Sequence, residues 1–126
     1  MKKQGGEGNI VGNLLRSFGY AASGVKYCFA TQRNLRIHAA AAVAALIAGH
    51  WLGLSGAEMG VLALTIAGVL VAEMFNTAVE AMVDIISPDY HPLAKVAKDV
   101  AAGAVLVTAL VSLIVAYFLF GPRVGW

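Results

Sequence analysis

Apolar residues run almost unbroken through three stretches of this chain, and polar residues collect between them. The first, residues 37 to 54, reads IHAAAAVAALIAGHWLGL. At about 18 residues it lies near the lower limit for crossing a hydrocarbon core about 30 Å thick. Its alanines suit close packing, since small residues let helix backbones approach in lipid, and His50 and Trp51 suit the interface at its far end. The second stretch, residues 58 to 86, is apolar through MGVLALTIAGVLVA and then turns acidic. The third, residues 100 to 120, reads VAAGAVLVTALVSLIVAYFLF and holds no charge. All three are expected to span a membrane as helices.

The segment before them has another pattern. In IVGNLLRSFGYAASGVKYCFATQRN, Leu14, Leu15, Phe18, Val25 and Phe29 alternate with Arg16, Lys26 and Arg33. This predicts a surface helix over about residues 11–34, apolar side down in the membrane interface, with Gly19 and Gly24 weakening it or marking a bend. Residues 1 to about 10, basic and then Gly-rich, are expected to form a mobile cytoplasmic tail. No apolar core with a small-residue cleavage site follows them, so no signal peptide is expected.

Composition supports a membrane protein: of 126 residues, 60% are hydrophobic and 13% charged, with a mean hydropathy of +0.77. A net charge of +2 gives no reason to expect nucleic acid as a partner. The single cysteine, Cys28, allows no intrachain disulfide and reads as a packing residue. The cations set the topology. Lys2, Lys3, Arg16, Lys26, Arg33 and Arg36 precede the first stretch, and Lys95 and Lys98 lie between the second and third. The positive-inside rule therefore places the N-terminus and the second loop in the cytoplasm, leaving Arg123 outside as a minor violation.

The candidate chemistry lies in EMFNTAVEAMVD, residues 73 to 84. On a helix, Glu73, Glu80 and Asp84 fall within about 40° of one another, with Asn76 about 60° to one side. Three acids with no intervening cation need compensation if they lie at membrane depth. A divalent cation would supply it, because Mg²⁺ binds through one or two carboxylates together with substrate phosphates. A hydrogen-bonding seam between helices, a solvated stripe or a proton path is the alternative. Beyond Pro88 and Pro92 a new helix carries Lys95, Lys98 and Asp99, with Lys95 and Asp99 paired at i, i+4. Two lysines at the level of the acids suit a polyphosphate, although they also fit an ordinary cytoplasmic flank. No GxxxxGK[ST] loop is present.

These residues carry a resemblance. Glu73-Met-Phe-Asn76-Thr-Ala-Val-Glu80-Ala-Met-Val-Asp84, followed by His91-Pro92-Leu93-Ala94-Lys95-Val-Ala-Lys98-Asp99, resembles the signature of the prokaryotic integral-membrane diacylglycerol kinase and undecaprenol kinase family. The likeness covers roughly residues 14 to 120, including Arg33-Asn34-Leu35-Arg36-Ile37-His38. It implies an all-α homotrimer of the bacterial cytoplasmic membrane, with a surface helix and three transmembrane helices per chain. Residues 11–126 then form one kinase domain, with composite active sites on the cytoplasmic side shared between protomers. Such enzymes transfer the γ-phosphate of MgATP to a lipid hydroxyl.

By the same resemblance Glu73 is the general base at that hydroxyl, Asn76 positions it, and Glu80 is a metal ligand. Lys98, Asp99, Lys95, Arg16 and Tyr20 face the nucleotide, while Asp84 is structural or nucleotide-side. Many relatives place a glutamate, a second metal ligand, where this chain has Gln32; its amide can still coordinate Mg²⁺ but brings no charge. The continuous HPLAKVAKD favours undecaprenol over diacylglycerol as acceptor.

Overall fold

A computed structural model describes residues 9–125 and contains four helices: α1 (Ile10–Thr31), α2 (Arg33–Trp51), α3 (Gly56–Ile86) and α4 (Pro92–Val124). Most of the expected N-terminal tail, residues 1 to 8, lies outside the described residues. The chain divides into two units, one ending at Thr31 and the other running from Gln32.

The first unit holds α1, which runs unbroken across Gly19 and Gly24. Ile10, Leu14, Leu15 and Phe18 are exposed on it, and Cys28 is its buried residue. The helix stops at Thr31 rather than near 34. Gln32 takes an extended backbone, φ −108° and ψ 106°, so Arg33 and Asn34 begin the next helix.

The second unit is a three-helix assembly in which α3 packs along α4 and, over a smaller area, against α2. Leu54, Leu62 and Leu119 form its buried centre, backed by Ala45, Leu46, Met59, Ile66, Val115 and Phe120. The α2–α3 turn passes Gly53 at φ +75°, a left-handed conformation open to glycine without strain. Ser55 then starts α3 with a capping box. Glu58 N–H donates to Ser55 Oγ at 3.2 Å and Ser55 N–H donates to Glu58 Oε1 at 3.0 Å. At the other end, His91 Nδ1 accepts from Leu93 N–H at 3.1 Å and Pro92 supplies the preset φ of a first helical residue. For that reason α4 begins eight residues before the apolar run expected to start at 100.

Two helices, α3 and α4, are long and apolar enough to cross a membrane. The core helix of a soluble protein would be mostly buried, yet only 17% and 6% of their apolar windows are buried here. Leu64, Phe75, Leu106, Leu113 and Phe118 all point outward. Surface of this kind requires lipid or protein around it, and its extent on two helices of membrane-spanning length is consistent with an all-α membrane protein. With 19 residues that include Arg33, Arg36 and many weakly apolar alanines, α2 falls outside that pair.

Polar groups close α3 at both ends. Glu58 near its start accepts a two-pronged contact from Arg123 at the end of α4, Nη2 to Oε1 at 2.8 Å and Nη1 to Oε2 at 2.9 Å. Asp84 near its finish accepts from Lys98 Nζ at 2.6 Å. At 1.5 Å per residue the two carboxylates stand about 39 Å apart, close to the 40–45 Å of a bilayer with its headgroups.

Candidate active site

The acid stripe forms because one continuous helix carries it, but its members meet different surroundings along the axis. Glu73 is buried, with 4% of its surface exposed, and Thr77 beside it is buried as well. Thr77 satisfies its own hydroxyl by donating to Glu73 O at 2.9 Å. Glu80 is half-buried one stage further along, and Asp84 is exposed near the helix end. Burial therefore falls steadily from Glu73 to Asp84, about 16 Å along the axis.

Glu73 meets a residue that sequence reasoning did not single out for a role. His38 Nε2 on α2 comes within 3.3 Å of Glu73 Oε1. The separation is that of an ion pair, but the alignment is not that of a hydrogen bond, and Oε1 has no hydrogen-bond partner among the described residues. Asn76 Oδ1 is buried in the same condition. Two unsatisfied oxygens one helical turn apart are uncommon inside a protein and mark a place where a donor is expected. The signal in the sequence was His38 itself, a polar ring at the head of an alanine run, and it became interpretable only when α2 crossed α3.

Toward the end of α3 the structure brings Glu80, Asp84 and Lys98 together. Lys98 lies before the apolar run that begins at Val100. Its hydrogen bond to Asp84 raises the Lys98 ammonium above the ordinary lysine value, burial opposes this, and the charges of Asp84 and Glu80 add to the rise. Lys98 is thus cationic throughout the neutral range. Lys95 pairs with Asp99 one turn apart, as the spacing predicted. A cleft of about 380 Å³ opens beside them, lined by Asp84, Pro88, Tyr90, His91, Lys95 and Lys98, a size within the usual range for small-molecule sites.

Gln32 is the half-buried N-cap of α2 and makes no side-chain capping bond. Arg16 and Tyr20 are exposed on α1, in the other unit. Both metal candidates carry hard oxygens, the carboxylate of Glu80 and the amide of Gln32, as Mg²⁺ prefers. Among the described residues no three His, Cys, Asp or Glu side chains converge. An ion held at Glu80 would therefore be completed by phosphate oxygens and water.

The chain is similar to several known proteins. A diacylglycerol kinase of Synechocystis is 49% identical over 90% of this chain, which spans 65% of that relative's length. An undecaprenol kinase of Bacillus subtilis is 44% identical over 91% of this chain and 94% of its own. A diacylglycerol kinase of Escherichia coli is 29% identical over 80% of this chain and 83% of its own. The profile of prokaryotic diacylglycerol kinases matches residues 19–120, which hold all of α2 and α3, most of α4 and both halves of the candidate site. The chain is a member of the prokaryotic diacylglycerol kinase family.

Proposed function

We propose that this protein is an integral-membrane lipid kinase that transfers the γ-phosphate of ATP to a lipid hydroxyl, with undecaprenol as the preferred acceptor. The observation that carries the reading is the buried carboxylate of Glu73 on a transmembrane-length helix of a chain that belongs to the prokaryotic diacylglycerol kinase family. An ionisable group at that depth is costly unless it has work or a partner there.

The residues divide the reaction between two levels of α3. Near the helix end, Lys98 and Lys95 neutralise phosphate charge, with Asp99 on the nucleotide side. Asp84 holds Lys98 in place through their ion pair. Glu80 and Gln32 would hold Mg²⁺, which when bound offsets the charge of the β- and γ-phosphates. About 10 Å deeper, Glu73 accepts a hydrogen bond from the acceptor hydroxyl and takes its proton as the new O–P bond forms. The bond to the β-phosphate oxygen breaks and ADP leaves with that electron pair. Asn76 lies one turn from Glu73 and orients the same hydroxyl. Because phosphoryl transfer passes through a loose transition state, positioning and charge carry most of the acceleration.

This reading takes residues 11–126 as one membrane domain, with α1 on the cytoplasmic face and α2 joining α3 and α4 as a third span. The cation distribution supports that orientation, and the outward apolar surface of α3 and α4 supports association of chains as a homotrimer. Undecaprenol is preferred on the HPLAKVAKD segment and on the greater identity to the Bacillus undecaprenol kinase than to the Escherichia diacylglycerol kinase. Diacylglycerol is the second reading, favoured by the 49% identity to the Synechocystis relative. Purified protein in mixed micelles, given labelled ATP, Mg²⁺ and each lipid separately, should phosphorylate undecaprenol at the higher kcat/KM. A higher value for diacylglycerol would reverse the order, and no product from either would overturn the reading.

A further inference from the structure

We infer that His38 is a positioning residue for Glu73, holding its carboxylate at the angle from which it meets the acceptor hydroxyl. The inference rests on the reading of Glu73 as the base and adds a residue that the acid stripe does not contain.

Three observations converge on it. Nε2 of His38 stands 3.3 Å from Oε1 of Glu73, and that oxygen has no hydrogen-bond partner among the described residues. The Glu73 side chain is 5% exposed and that of His38 is 31% exposed, so the ring bridges a buried carboxylate and an open space. That space is a groove of about 200 Å³ between α2, α3 and α4, lined by His38 together with Ala41, Ala45, Val69, Ser112 and Phe120. His38 is therefore the most polar group in an otherwise largely apolar groove, at the point where the groove approaches the base.

A free carboxylate on a flexible glutamate would sample several rotamers, and only some present an oxygen to a hydroxyl entering from the membrane. At 3.3 Å the two atoms are within reach of a hydrogen bond once Nε2–H is aligned on Oε1. An ion pair or a neutral N–H donor would each serve, because Nε2 donates in the imidazolium and in one neutral tautomer. Fixing Oε1 in this way leaves Oε2 as the proton acceptor and lowers the cost of a buried anion. His38 itself need not touch the lipid hydroxyl or the phosphates.

Four variants of the full-length protein test this, assayed in mixed micelles with ATP and lipid varied in turn. His38→Ala should lower kcat about 10- to 100-fold, the scale on which small misplacements of a catalytic group act. Both KM values should stay within about twofold, since neither substrate loses a binding contact. His38→Gln, whose terminal N–H reaches close to the Nε2 position, should recover most of the loss, whereas the shorter His38→Asn should not. That contrast also decides the matter if His38→Ala fails to fold. An unchanged kcat in His38→Ala, or Asn rescuing as well as Gln, overturns the assignment. Glu73→Gln is measured beside them. If it is inactive while His38→Ala is normal, only His38 loses its role; if it is fully active, the base and its positioning residue fall together.

Discussion

Arg123 closes a two-pronged ion pair on Glu58 across 65 residues of sequence, tying the last turn of α4 to the first turn of α3. The guanidinium also donates to Leu119 O at 3.0 Å, and the carboxylate is already engaged by the capping box at Ser55. Both side chains are about a quarter to a third exposed, 26% and 30%. The geometry is bidentate, the best case for such a pair, but solvent screens part of it. A double-mutant cycle of Arg123→Ala and Glu58→Ala should give a small but non-zero coupling, read from unfolding in detergent. Additive effects would show that the contact contributes nothing to stability.

The Lys98–Asp84 pair is expected to behave differently, because both residues lie near the polar end of the cleft and neither is buried. Exposed pairs contribute little to folding. Lys98→Ala should therefore leave stability nearly unchanged while lowering kcat/KM for ATP about 100-fold, through lost phosphate neutralisation. Asp84→Asn, which keeps the lysine charged, should cost less. Equal losses in the two variants would mean that the pair matters to the site only as a unit.

Much of this could be read from the chain before its fold was known. The spacing of Glu73, Glu80 and Asp84 put them on one helical face, and the i, i+4 pairing of Lys95 with Asp99 is present. Contacts between helices were not legible, because they depend on how the helices cross. His38 and Glu73 are 35 positions apart, and nothing local joins them. Arg123 read as a violation of charge asymmetry, whereas the fold pairs it with Glu58. The division at Gln32 was missed for a more local reason: no glycine or proline marks it, and the break lies in one extended residue.

Gly49 tests the packing of α2 on the start of α3. A Cβ there would stand 2.8 Å from Leu54 Cδ1 and 3.1 Å from Met59 Sδ. Both atoms are ends of flexible side chains that can give way, and alanine is the better helix former, so Gly49→Ala should change stability by less than about 1 kcal/mol. Gly49→Leu should cost more and lower the unfolding midpoint further. A neutral or stabilising Gly49→Leu would contradict the close approach of these two helices.

Gln32 offers a metal prediction. Replacing its neutral amide with a carboxylate adds charge without lengthening the side chain, so Gln32→Glu should lower the Mg²⁺ concentration that gives half-maximal activity. The measurement is a Mg²⁺ titration at fixed ATP. An unchanged midpoint would remove residue 32 from the metal site and leave Glu80 as the protein ligand to be tested by Glu80→Gln.

The central claim is that a buried glutamate on α3 serves phosphoryl transfer to a lipid. Its most direct test compares wild-type protein with Glu73→Gln for transfer from labelled ATP to undecaprenol, with the size of the detergent-solubilised protein checked in each. The amide is nearly isosteric, so the fold should persist. Wild-type protein should form product, and the variant should lose at least about 100-fold in kcat, the scale of general-base catalysis. A variant that turns over at the wild-type rate would contradict the claim.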